Sequence, residues 1–103
     1  MAQIVYSTIG SLREARTIAD ALVRERLAAC VNLIPKVESV YRWKGTIENA
    51  QECVLLAKTR DEKAQAVIDR IRSLHSYELP DIIVLPITGG LPEFLNYITE
   101  EST

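Results

Sequence analysis

The sequence holds one histidine, one tryptophan and two cysteines in 103 residues. Cys30 and Cys53 make no C-x-x-C pattern, and one imidazole with two scattered thiols cannot close a tetrahedral zinc site within a single chain. A structural zinc knuckle and a redox pair are therefore excluded. Only four glycines are present, and they form neither a phosphate loop nor a nucleophile elbow, while a lone histidine leaves little to activate a serine or thiol. The chain is expected not to be an enzyme. Basic excess is also missing: 12 Lys and Arg stand against 14 Asp and Glu, for a net charge of -2. Without a basic stripe, nucleic acid is not an expected partner. No apolar run approaches the roughly 20 residues of a membrane span, and "MAQIVYSTIG" has no basic start ahead of a long apolar segment. No membrane contact and a cytoplasmic location follow as expectations.

What is present reads as one globular domain over residues 1–103. Hydrophobic residues make up 48% and charged residues 25%, with no low-complexity tract, so disorder is set aside. "QIVYST" is a β-branched apolar run followed by Ser11-Leu12-Arg13-Glu14, which has the form of a capping box. The spacing of Ala15, Ile18, Ala19, Leu22 and Val23 then predicts a helix to about Leu27. From "ACVNLIP" the pattern turns extended, and Val37, Ser39, Tyr41 and Trp43 alternate with Glu38, Val40, Arg42 and Lys44. Pro35 cannot donate to a ladder and predicts a bulge or an edge. A turn at Lys44 and Gly45 returns the chain as "TIENAQECVLLAKT", which makes a long hairpin. Asp61 is placed to cap a second helix with Ala64, Val67, Ile68, Ile71 and Leu74 on its inner stripe. "DIIVLPI" reads as a fourth strand, and Pro92 opens a short final helix.

The order β-α-β-β-α-β is that of the ferredoxin-like split βαβ fold, an α+β class, here with a short C-terminal helix. Two helices cover one face of such a sheet, and the other should alternate to polar residues where it meets water. It does not. Leu55 and Ala57 oppose Val54 and Leu56, and Ile82 and Val84 oppose Ile83 and Leu85, so both faces are apolar. A small domain hides such a patch by closed self-association, and a homo-oligomer is expected. The hairpin tip "VYRWKG" gives each copy an arm with an aromatic end, or else an exposed hairpin carrying a lone tryptophan.

"RLAACVNLIPKVESVYRWKGTIE", "LLAKT" and "HSYELPDIIVLPI" together resemble the CutA family of divalent-cation tolerance proteins, and the resemblance spans nearly the whole chain. It implies a ferredoxin-like subunit assembled as a homotrimer and a link to tolerance of divalent metal ions, copper in particular. Two motifs depart from the family pattern. Ile9 and Gly10 stand where family members often carry cysteine and proline, and Ser76 stands within a motif usually written His-Pro-Tyr-Glu. The first removes a thiol suited to a soft metal; the second removes the rigidity of proline.

Within these motifs His75 admits two roles. It can end a helix, bonding terminal carbonyls and answering the macrodipole, or it can ligate copper or another divalent cation with Glu78 nearby in sequence. Cys30 lies in the family's Ala-Cys-Val-Asn run, so His75 and Cys30 are the candidate metal ligands, with burial the alternative for Cys30 and packing the assignment for Cys53. Trp43, Lys58, Tyr77 and Glu78 are expected near clefts between copies. For Trp43 and Tyr77 interface packing is the plainer role, and for Lys58 a solvated charge. A His75 and Glu78 acid-base pair would need a formed pocket. The expected protein binds a metal ion, needs no cofactor and performs no catalytic step. A second reading is a PII-like trimeric signalling module that takes a small anionic ligand or a protein partner at its clefts.

Overall fold

The computed structural model describes residues 1–103. The elements are β1 (Ala2–Ile9), α1 (Leu12–Arg24), β2 (Cys30–Trp43), β3 (Thr46–Arg60), α2 (Ala64–Leu74), β4 (Ile82–Ile87) and α3 (Pro92–Glu101). This is the expected order. Ser11 caps α1, its hydroxyl accepting the Glu14 N–H at 3.1 Å. The box is only half closed, because the Glu14 carboxylate turns instead to Ser76 and accepts from its backbone N–H and its hydroxyl, both at 2.9 Å. α1 stops at Arg24 rather than near Leu27. Arg26 adopts a φ of 58°, and N–H groups of Arg26 and Leu27 bond the carbonyls of Val23 and Leu22, which is the Schellman ending.

Asp61 does not cap α2. Its carboxylate takes the N-terminal ammonium at 3.1 Å and the Gln3 amide at 2.7 Å, and a short 3₁₀ turn over Asp61–Lys63 leads into the helix. Strand β1 is thereby pinned at its start to the end of β3.

The four strands form one antiparallel sheet in the order β2-β3-β1-β4. One face carries Val5, Ile9, Leu55 and Ala57 against Ala15, Ile18 and Leu22 of α1 and Val67 and Ile71 of α2, all out of contact with solvent. Burial of these aliphatic side chains, at about 1.5–3 kcal/mol each, is the main force holding the helices on the sheet. The other face is only partly covered. Ile98 of α3 packs on Ala2 and Ala29 at one end, with Leu95 and Ile87 beside them. Beyond α3, Ile34, Ile83 and Leu85 remain 47%, 54% and 42% exposed. The apolar second face expected from the strand pattern is therefore open in the single chain.

The hairpin of β2 and β3 carries the two irregularities the sequence marks. Ile34 pairs with Val54 and Val37 with Glu52, so Pro35 and Lys36 together stand against Cys53, a bulge with Lys36 at a φ of 61°. At the tip, Trp43 pairs with Thr46 across the two-residue turn Lys44-Gly45, whose φ values of 49° and 82° fit the turn that follows strand twist.

Candidate functional site

The open face of the sheet holds a cleft of about 530 Å³ at the end away from α3. Strand β1 brings Tyr6 and Thr8 to it, β2 brings Ser39, Tyr41 and Trp43, and β3 brings Glu52. The segment between α2 and β4 closes it with Tyr77, Glu78 and Asp81. Strand periodicity explains the set: alternate residues share a face, and the bulge at Pro35 puts Ser39, Tyr41 and Trp43 on the same side as Thr8 and Glu52.

The chemistry of the cleft is acidic and aromatic. The Tyr77 hydroxyl donates to Glu52 Oε2 at 2.6 Å, and Thr8 gives Asp81 Oδ2 both its N–H, at 3.2 Å, and its hydroxyl. Burial alone would push the Glu52 carboxyl up, but hydrogen bonds to it, from Ser39 and Tyr77 foremost, leave it below the ordinary glutamate value. The one hydroxyl proton of Thr8 is committed to Asp81, so Ser39 and Tyr77 are the donors that count for Glu52. Burial raises the Tyr77 phenol well above its ordinary value, helped by the hydrogen bond to Glu52 and by the charge of Glu52 and Asp81. Tyr77 is held as a neutral donor. No lysine, arginine or histidine lines the cleft, and neither Glu52 nor Asp81 belongs to any ion pair of the chain. Glu78 stands outermost, 3.9 Å from Lys44 at the hairpin tip, with both side chains exposed.

His75 lies behind this wall and not in it. Its side chain is fully buried. Nε2 is 2.8 Å from the Thr8 carbonyl and must donate, while Nδ1 accepts the Tyr77 N–H at 3.2 Å, which defines a neutral ring protonated on Nε2. Both nitrogens are therefore occupied. The helix-ending role also takes a different form from the expected one: the His75 backbone N–H bonds the Ile71 carbonyl, but the imidazole reaches across to β1 instead of to the helix end. Gly10 adjoins the same corner, where a Cβ would stand 3.3 Å from the Tyr77 ring, so the missing side chain leaves room for that ring.

The structure brings together Trp43, Tyr77 and Glu78 but sets Lys58 and Cys30 apart from them. Those two face one another in register on β3 and β2, near α3. Lys58 Nζ donates to Asn32 Oδ1 at 2.6 Å and lies 5.7 Å from the centre of the Phe94 ring. Cys30, half-buried, borders a separate shallow groove with Leu91, Phe94 and Tyr97. Cys53 is buried in the main core. His75 and Cys30 share no site, and the chain contains no group of three or more His, Cys, Asp or Glu placed to hold a metal ion. Glu52, Asp81 and Tyr41 were not singled out from sequence. Their one signal is placement: Glu52 and Asp81 each sit at the edge of an apolar strand run, where a carboxylate needs a reason.

These features define an α+β domain with an open sheet face and an acidic, aromatic cleft upon it. Residues 3–101 match the CutA1 divalent ion tolerance protein family, and the chain belongs to that family. It is 44% identical over 102 residues to the divalent-cation tolerance protein CutA of Thermus thermophilus, covering 99% of both chains. The solved structure of the divalent cation tolerance protein from that organism superimposes with a TM-score of 0.96 over the whole of both chains. The periplasmic divalent cation tolerance protein CutA of Archaeoglobus fulgidus gives a TM-score of 0.96 at 44% identity over the whole of both chains. CutA of Xylella fastidiosa gives 0.96 at 43% identity, covering 99% of this chain and 98% of that one. No helix of the chain is long and apolar enough to cross a membrane.

Proposed function

We propose that this chain serves divalent-cation tolerance as a cytoplasmic homotrimer that binds copper or another divalent cation and carries out no catalytic step. The observation that carries the reading is the lining of the cleft: Glu52 and Asp81, which belong to no ion pair, and Glu78, whose exposed carboxylate faces Lys44 at 3.9 Å. Such a lining attracts cations and repels anions. Family membership over nearly the full chain adds to it. The exposed Ile34, Ile83 and Leu85 are the surface on which neighbouring copies would pack.

Because no three ligating side chains meet within one chain, the metal would take donors from more than one copy. Exposed Glu78 and the thiol of Cys30 are available to it. His75 joins only by giving up its bond to Thr8 or to Tyr77. The same acidic lining weighs against the PII-like alternative with an anionic ligand, although a protein partner is compatible with it. Calorimetric titration with Cu²⁺ and Zn²⁺, repeated on Glu78→Gln and Cys30→Ser, tests the reading. One saturable site per subunit or per trimer, weakened in a variant, supports it; the absence of any saturable site overturns direct binding.

A further inference from the structure

The open face of the sheet carries unanswered charge of both signs, at opposite ends. Residues of β3 alternate across the sheet, so Glu52, Val54, Leu56, Lys58 and Arg60 share that face. Arg60 is already engaged, with the Glu62 carboxylate at 3.1 Å and with the Thr99 carbonyl of α3. Lys58 belongs to no ion pair: its ammonium meets the neutral Asn32 amide at 2.6 Å and the ring of Phe94. At the other end Glu52 is 7% exposed and held ionised by hydroxyl donors, and beside it Thr8 bonds only Oδ2 of Asp81. Neither carboxylate has a cation. Six residues of extended strand separate Lys58 from Glu52, about 20 Å, so the two cannot meet within one chain. Water answers these charges on a lone subunit. Neighbouring copies packed on this face displace that water, and a charge buried there without a partner works strongly against the contact.

We propose that Lys58 of one copy enters the cleft of its neighbour and sets its ammonium against Glu52, with Asp81 beside it. The cleft is thus incomplete in one chain and is finished by a residue of the next. Exposed Ile83 and Leu85 lie on the same face, so one contact that opposes the basic end of a copy to the acidic end of another both pairs the charges and hides the aliphatic surface. Each copy gives Lys58 to one neighbour and takes it from the other, which is the heterologous contact from which rings close. The supporting hydrogen bonds are in place. Tyr77 and Ser39 serve Glu52, Thr8 serves Asp81, and Asn32 takes one of the three ammonium protons, which is the condition under which a buried pair repays its desolvation. One ammonium against two carboxylates leaves the cleft acidic. The inference rests on the homotrimer reading and makes no use of Glu78 or Cys30, the groups offered to a metal. It also brings Lys58 back to Trp43 and Tyr77, from which a single chain sets it apart.

Native mass spectrometry of light-isotope and heavy-isotope protein, mixed after chelation of metals, reads both the mass of the assembly and the rate at which subunits exchange. Lys58→Met and Glu52→Gln each strand one charge of the pair and are expected to speed exchange about tenfold, since loss of one partner of a buried pair acts on dissociation. The double variant should fall well short of the product of the two effects. Exchanging the charges, Lys58→Glu with Glu52→Lys, should restore the assembly that Lys58→Glu alone weakens. Lys58 stands outside the core, and Asp81→Asn replaces Glu52→Gln in the cycle if the latter disturbs folding. Unchanged exchange in Lys58→Met, or a double variant that reaches the full product, in a chain that still assembles, overturns the proposal and leaves the homotrimer standing. A lone-subunit mass for the unaltered chain overturns the assembly reading and this inference with it.

Discussion

His75 Nε2 stands 2.8 Å from the carbonyl oxygen of Thr8, and this one bond ties the end of α2 to the strand that forms the floor of the cleft. Because Nδ1 of the same ring receives the Tyr77 N–H, truncation to alanine removes two hydrogen bonds and leaves a hole where a fully buried ring stood. His75→Ala is expected to lower the free energy of unfolding by about 2–4 kcal/mol. Denaturant unfolding measures it. A loss below about 0.5 kcal/mol would show that the ring is not structural.

Tyr77 and Glu52 should be visible in titrations at opposite ends of the pH scale. The folded-state pKa of the Tyr77 phenol is raised above its ordinary value of 10, so its contribution is complete below pH 10 and is lost as pH rises beyond it. Ultraviolet titration of phenolate formation should show one of the four tyrosines ionising last, with unfolding, and Tyr77→Phe should remove that lagging step.

At the acid end the sign reverses. Glu52 has a folded-state pKa lowered from 4.5, so the unfolded chain binds the proton more readily and the stabilisation is present above that pH. It disappears as pH falls through the lowered folded value. Glu52→Gln should flatten the stability profile in that window, read by thermal unfolding at a series of pH values. A profile parallel to that of the unaltered chain would assign the acid sensitivity to other carboxylates.

Ser76 recovers by hydrogen bonding some of the rigidity that the family's usual proline would give. Its N–H and hydroxyl both bond Glu14, a partly buried carboxylate on α1. Glu14→Ala should cost about 1–2 kcal/mol and speed hydrogen exchange at the Ser76 amide. Unchanged exchange would place the restraint elsewhere in the turn.

Assembly is tested on the open sheet face. Sedimentation of the unaltered chain at dilute concentration should report an oligomer, and Ile83→Glu, which puts a carboxylate on that exposed surface, should yield slower-sedimenting subunits. An uncompensated charge in such an interface costs about 3 kcal/mol or more. A stable, soluble single subunit in the unaltered chain would remove the shared surface on which the trimer rests.

The elements were largely legible in the sequence because periodicity and turn chemistry are local. Pro35 marked the bulge, and Lys44-Gly45 marked the hairpin turn. What escaped depended on partners distant in sequence. Glu14 had the form of a capping residue until Ser76, 62 residues on, took its carboxylate, and Asp61 was drawn from capping by the chain's own amino terminus. The cleft was half legible. Trp43, Tyr77 and Glu78 came from motif resemblance, whereas Glu52 and Asp81 acquire meaning only when β1 places Thr8 beside them. His75 was ambiguous for the same reason: nothing nearby in sequence announces that both its nitrogens are already engaged.

The bulge at Pro35 and Lys36 has an evolutionary corollary. Substitutions that let β2 pair one to one through this point would set Lys36 against Glu52, and every side chain from Val37 to Trp43 would swap sides, whereas deleting one bulge residue would leave Val37 opposite Glu52 and change nothing beyond it. Val40 and Arg42 would then replace Tyr41 and Trp43 at the rim, exchanging an aromatic enclosure for a guanidinium beside the carboxylates of the cleft.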